Sequence, residues 1–117
     1  MTIKPNLNLL KRGDTILVDF RNRVGSEQNG IRPAVVLQND KGNKHSPTTI
    51  VAPITTKTHS NHLPVHIPVA VEEDSIAMLE QIVTIDKRRV VQVLGSLTKQ
   101  EMMEIDEAIL ISLGVAV

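Results

Sequence analysis

Arg32 is the residue in this chain whose setting most invites chemistry. It follows the polar loop Gly25-Ser26-Glu27-Gln28-Asn29-Gly30-Ile31 and precedes Pro33 and the apolar run Ala34-Val35-Val36-Leu37. Proline restricts the residue before it to extended backbone, so the guanidinium of Arg32 starts from one local conformation. A planar guanidinium aimed at a loop–strand junction suits an anion or phosphate clamp. The alternative is an arginine that is solvated or paired with a nearby carboxylate.

Hydroxyl and carboxylate candidates accompany it. Thr55 closes the run Val51-Ala52-Pro53-Ile54, where its hydroxyl could donate to a phosphate oxygen or cap a turn. Ser26 and Glu27 share the loop that carries Arg32; Glu27 is a candidate base or a loop partner for Lys or Arg. The histidines His59, His62 and His66 are spaced as an acid–base or metal cluster, with His45 apart. Pro64 and Pro68 break any helix that would put the three on one face, and no carboxylate sits at ligand spacing, so they read as solvated loop histidines. Glu72-Glu73-Asp74 reads as a solvated turn, because adjacent carboxylates point in different directions.

The elements that must hold these groups are mostly short strands. Residues 1–10 read as a short, loosely ordered leader and residues 11–117 as one domain. The periodicity predicts strands over Asp14–Phe20, Pro33–Gln38, Thr49–Ile54, Val65–Val71, Ile76–Leu79, Ile82–Asp86 and Val90–Leu97. Arg21–Ile31 is a long polar loop of the kind that often carries function, Asn39–Asn43 a turn, and Thr55–Leu63 an exposed loop. The period then changes. Thr98 and Glu101 form a capping box, Met102, Ile105, Ile109 and Leu113 follow at helical spacing, Glu101, Glu104 and Glu107 share a polar side, and Gly114 ends the helix. Strands followed by one terminal helix predict a small, bent, partly open β-barrel closed on one side by that helix.

Composition narrows the function. The 117 residues contain no cysteine, excluding a disulfide framework and a thiolate metal site. No apolar run is long enough to span a bilayer and the N-terminus does not read as a signal peptide, so a cytoplasmic, non-membrane protein is expected. Net charge is zero but divided: residues 1–58 hold nine Lys/Arg against four Asp/Glu, and residues 59–117 hold the reverse. A chain polarised in this way can offer a basic surface to a polyanion. Phe20 is the only aromatic residue, which argues against modules that hold single-stranded RNA by base stacking.

Taken in order, Lys11-Arg12-Gly13-Asp14, the segment Val24–Pro33, Gln38-Asn39-Asp40, Ser46-Pro47-Thr48, Pro53-Ile54-Thr55, Leu79-Glu80-Gln81-Ile82, Thr84–Arg88 and Ile109–Gly114 resemble the MazF/PemK family of toxin endoribonucleases. The resemblance covers roughly residues 11–114. It implies an SH3-like small β-barrel, mainly β with a C-terminal helix, working as a homodimer. It implies metal-independent and cofactor-independent cleavage of single-stranded mRNA at short motifs, leaving 2′,3′-cyclic phosphate and 5′-hydroxyl ends. A cognate MazE-type antitoxin would neutralise it. By motif position Arg32 and Thr55 look like the family's catalytic pair, with Ser26 and Glu27 beside them. Gln28, Asn29, Thr56, Lys57, Leu63, Gln81 and Thr84 fall where the family binds RNA. This chain has Ile16-Leu17-Val18 where many relatives have aromatic residues, and Val83 where many have arginine. A competing reading keeps the barrel without the nuclease, as in gyrase-poisoning toxins, or as an inactive relative.

Overall fold

A computed structural model describes residues 6–25, 27, 29–56, 63–71 and 73–115. Its frame is a seven-stranded antiparallel sheet. β1 (Asp14–Asp19) lies between β2 (Ile31–Val36) and β7 (Val90–Ser96). β3 (Thr48–Thr55) is the longest strand and serves two neighbours on its far side. Its first half pairs with β6 (Val83–Asp86), from Thr48↔Asp86 to Val51↔Val83, and its end pairs with β5 (Glu73–Met78), at Ile54↔Ala77 and Thr55↔Ile76. β4 (His66–Val71) completes the order β4-β5-β3-β2-β1-β7. Two register shifts in the β1–β7 ladder bend β1. The path begins at β4 and ends at β7, so the curled sheet is an open barrel rather than a closed one.

β2 and β3 are apolar on both faces and divide the core in two. Ala34, Val36 and Val51 join Leu10, Ile16, Val18, Phe20, Ile85 and Val90 on one face. Val35, Ala52 and Ile54 join Val69, Ala77, Leu79, Ile105 and Ala108 on the other, beneath α2 (Lys99–Ser112). The capping box is present: Thr98 Oγ1 accepts from Glu101 N, and Glu101 Oε1 accepts from Thr98 N. At the C-terminus Gly114 takes φ 71°, letting its N–H reach Ile111 O and that of Val115 reach Leu110 O. Met102, Ile105 and Ile109 face the sheet as the spacing predicts, but Leu113 is exposed and Ala108 takes the buried position.

Several local expectations are corrected. The Asn39–Asn43 turn is the start of a short helix, α1 (Asp40–His45), capped by Asn39 Oδ1 accepting from Gly42 N. Its turn-forming residues are held helical by the buried side chain of Asn43. Asn43 Oδ1 accepts from Thr49 Oγ1 (2.7 Å) and Gln38 Nε2 (3.1 Å), and its Nδ2 donates to Gln38 O (2.8 Å). The buried Lys87 Nζ donates to Asn43 O. Of the expected turn Glu72-Glu73-Asp74, Glu72 lies outside the described residues, and Glu73 and Asp74 open β5, opposite Val71 and Ala70. Leu10, inside the expected leader, is a core residue, and Leu7 packs against the same cluster. No helix among the described residues is long and apolar enough to cross a membrane.

Candidate active site

The prolines shape the site before any functional side chain does. Pro33 sits in β2 and Pro53 in β3, and neither has an N–H to offer a ladder. The described β2–β3 pairing accordingly runs from Val36↔Val51 to Ala34↔Pro53. Two residues beyond that last pair stand Arg32 on β2 and Thr55 on β3. Alternation assigns their faces. Arg32 shares the parity of Ala34 and Val36, and Thr55 that of Val51, so both lie on the face away from α2. Thr55 meanwhile pairs with Ile76 of β5, which draws the end of β3 toward that strand.

Arg32 is therefore inside β2, opposite Val18, rather than in the loop that precedes it. Its backbone is extended, as Pro33 requires. The loop closes at its base through Phe20 N donating to Gly30 O (2.8 Å), with Gly30 at φ 90° and Gly25 at φ 62°. Asn29 organises the exit: its O accepts from Arg32 Nε (3.3 Å) and its Oδ1 accepts from Gly30 N (2.8 Å). The described ion pairs engage Arg12, Arg21, Arg23, His66 and Arg88 and leave the exposed Arg32 outside them. Its guanidinium edge is thus presented to solvent at the splayed end of two strands.

Other cations gather there. Arg89 Nη1 donates to Asp19 O (2.9 Å) and Arg21 O (3.3 Å), tying the start of β7 to the end of β1. Arg21 binds Asp19 in a fork, and its side-chain hydrogen bonds hold the Asp19 carboxyl down at about 2. Arg23 stacks over Phe20 at 5.9 Å and pairs with Glu27 at 2.5 Å; its buried Nε has no partner among the described residues. The one aromatic ring of the chain supports a cation rather than a base.

Arg23 and Glu27 form one wall of a cleft of ≈ 520 Å³ whose other wall is Glu80, Gln81 and Ile82. Glu80 and Gln81 belong to a 3-10 turn, Leu79–Gln81, between β5 and β6. Glu27 and Gln81, both sequence candidates, are thus brought together. Asn29 lies against Arg32; Thr56 and Leu63 are exposed on either side of residues 57–62. Thr84 is not brought to this face: it pairs with Ile50, whose side chain packs beneath α2. Ser26, Gln28, Lys57, His59 and His62 lie outside the described residues.

Two features escape sequence reading. His66 is not a solvated loop histidine: it opens β4, is largely buried, and its Nε2 lies 2.6 Å from Glu80 Oε2. The two are separated by fourteen residues and meet only through the β4–β5 register, which the sequence does not display. The stacking of Arg23 on Phe20 has a weak local signal, a cation three residues after the only ring.

The chain is similar to known proteins. The family model of PemK-like, MazF-like toxins of type II toxin–antitoxin systems matches residues 11–113. A MazF from Deinococcus radiodurans superposes with a TM-score of 0.80 at 20% identity, over 90% of this chain and 96% of that one. An endoribonuclease from a mycobacterial species superposes at 0.76 and 20% identity, over 94% and 96%. A mycobacterial endoribonuclease in complex with its cognate antitoxin does so at 0.76 and 21%, over 92% and 98%. At these identities the superpositions establish a shared fold.

Proposed function

Because this chain belongs to the PemK-like, MazF-like toxin family of type II toxin–antitoxin systems, we propose that it is a cytoplasmic endoribonuclease toxin. It cleaves single-stranded mRNA at short motifs without a metal ion, acts as a homodimer, and is neutralised by a MazE-type antitoxin. Similar structures are named as endoribonucleases, one of them in complex with its antitoxin. The observation that carries the reading is the placement of Arg32 and Thr55 on one face, where the prolines end the β2–β3 ladder.

The chemistry that fits is internal transesterification. The ribose 2′-oxygen attacks the adjacent phosphorus, the O2′–P bond forms and the P–O5′ bond breaks. The products are a 2′,3′-cyclic phosphate and a 5′-hydroxyl. Arg32 would bind the non-bridging oxygens as a fork and stabilise the charge that accumulates on the phosphorane. Thr55 would add a neutral O–H donor. The leaving O5′ needs a proton, which the Arg32 side has donors to deliver. Arginine stays protonated at neutral pH and is a poor base, so the 2′-proton passes to Glu27 or to water. Arg23 holds Glu27 as a fixed carboxylate at the cleft.

The test is incubation of purified protein with a long single-stranded RNA in excess EDTA, beside Arg32→Ala, with cut sites mapped by primer extension. Discrete cuts from the wild type alone, ending in cyclic phosphate, are expected. Cleavage that is lost in EDTA and returns with Mg²⁺ would refute the metal-free chemistry. No cleavage from either protein would shift the reading to a toxin that acts by binding, and gyrase inhibition would be assayed next.

A further inference from the structure

Asn29-Gly30 is the single Asn-Gly pair in the 117 residues. Asparagine is chemically labile where the next backbone nitrogen can reach its side-chain amide carbon. Glycine grants that reach, because no Cβ crowds the approach, and Gly30 takes φ 90°. Gly30 N donates to Asn29 Oδ1 at 2.8 Å, so the nitrogen already sits against the amide it would attack. The same hydrogen bond polarises the Cγ–Oδ1 carbonyl. Among the described residues the β1–β2 register reaches only to Asp19↔Ile31, which leaves this N–H outside the ladder. Asn29 Nδ2, the leaving group, has one long contact among the described residues, to Arg23 O at 3.4 Å. Asn29 is exposed, so water reaches it. Asn43 is the counter-example: it is fully buried, its amide is bonded at both ends, and Lys44 follows it.

We propose that Asn29 is a self-modification site whose isoaspartyl product disarms Arg32. Gly30 N gives up its proton to solvent base and attacks Asn29 Cγ. The N–Cγ bond forms, the Cγ–Nδ2 bond breaks, and Nδ2 takes a proton from water and leaves as ammonia. The ring product is a succinimide, which water opens at either carbonyl. Breaking the N–Cγ bond gives aspartate at position 29. Breaking the bond between Gly30 N and the former main-chain carbonyl carbon gives isoaspartate. The net change is one water consumed and one ammonia released, with no oxidant or cofactor. The isoaspartyl product carries its free carboxylate on the former main-chain carbonyl carbon. That carbonyl oxygen is the one that accepts from Arg32 Nε, at 3.3 Å. A neutral acceptor thus becomes a charged one at the guanidinium, which arginine cannot escape by losing its proton. The aspartyl product leaves that carbonyl neutral and perturbs Arg32 less. The isoaspartyl backbone also gains one methylene ahead of Gly30, whose O accepts from Phe20 N to close the loop. This rests on the ribonuclease reading only for the loss of cleavage.

Ageing the purified full chain at pH 6 and pH 8, folded and in urea, tests it. Peptide mass spectrometry reads the amide-to-acid exchange, and methyl transfer by an isoaspartyl methyltransferase separates isoaspartate from aspartate. Asn29 should convert in the folded protein at a rate within about threefold of the urea sample, as for a segment the fold does not protect. Conversion should be faster at pH 8, where the attacking nitrogen loses its proton more readily, and Asn43 should stay unchanged in the folded protein. The Arg32 Nε–H nuclear magnetic resonance should move in the isoaspartyl form and move less in Asn29→Asp. Cleavage should fall as the isoaspartyl fraction rises. Asn29→Gln, whose longer side chain disfavours the ring, should keep whatever activity its own fresh sample has through the same ageing. An Asn29 that converts in urea but not in the folded protein would overturn the proposal, as would an isoaspartyl form in which the Arg32 Nε–H resonance has not moved. Both readouts are taken on the wild-type chain, so a variant that misfolds does not rescue it. Conversion with a moved Arg32 resonance, in a protein whose fresh sample cuts no RNA, would sink the nuclease and leave this inference standing. Full cleavage by a wholly isoaspartyl sample would do the reverse.

Discussion

The two ends of the β2–β3 pair treat their polar groups in opposite ways. At the α1 end, Gln38, Asn43, Thr49 and Lys87 are turned inward and bond to one another, with Asn43 and Thr49 fully buried. At the other end, Arg32 is exposed, bonded through Nε to a loop carbonyl, and outside the described ion pairs. Both ends are polar and both lie next to the core. The difference is whether partners come from the chain or must come from outside. A buried network specifies the fold and costs stability when broken. An oriented cation left facing solvent adds little to stability and gains its value only when a ligand arrives.

The sharpest way to break that contrast is to remove one residue from each end. Arg32→Ala should lower cleavage by about a hundredfold to a thousandfold, the range for losing one charge-stabilising donor. Its unfolding free energy should stay within about 0.5 kcal/mol of wild type, as for an exposed side chain. Single-turnover cleavage and urea denaturation on the same preparation read both numbers. A protein that loses activity because it unfolds would place Arg32 with the structural end.

Asn43→Ala should show the converse. Thr49 Oγ1 loses its buried acceptor and Gln38 O its donor, while Gln38 Nε2 keeps Thr48 O as acceptor. Unsatisfied buried groups cost about 1–3 kcal/mol each, so a loss of roughly 2–4 kcal/mol in urea is expected. Cleavage by the fraction that remains folded should change less than about threefold, far below the effect of one lost catalytic donor. A specific activity that falls with stability unchanged would erase the distinction between the ends.

The same contrast separates what was legible in the sequence from what was not. Apolar runs rich in β-branched residues, such as Ile16-Leu17-Val18 in β1, and the Thr98–Glu101 capping box carry local signals, and they stand within a few residues of where the pattern puts them. Arg32 and Thr55 were legible as a pair through family resemblance, and the strand parity then gives them a common face. What failed was long-range. Asp40–His45 carries the turn-forming Gly42 and Asn43 at its centre and is helical because Asn43 finds buried partners on β3 and in the Gln38 backbone. His66 and Glu80 meet across a strand register. Thr84 is a plausible RNA contact by position, yet one step of the period-two alternation turns it to the α2 side.

A middle case sharpens the comparison: Glu101, a polar group that serves the fold from the surface. Its Oε1 accepts from Thr98 N and its Oε2 from Ala70 N at 2.8 Å, so it caps α2 and also ties the edge strand β4 to it. Partial burial pushes its pKa up, but the N–H donors of Thr98 and Ala70, with the Thr98 hydroxyl, more than offset this and leave it below the usual 4.5. A folded pKa below the unfolded one contributes stability that is present above about pH 4.5 and is lost as pH falls through the folded value. Glu101→Gln keeps the shape and removes that titration. It should cost about 1 kcal/mol at pH 7, the size of a helix cap, and the gap to wild type should close as the pH falls below about 4. Urea midpoints from pH 7 to pH 3 read the gap directly. A gap constant across that range would mean that Glu101 acts through packing, and would move it from the charged periphery to the same class as Asn43.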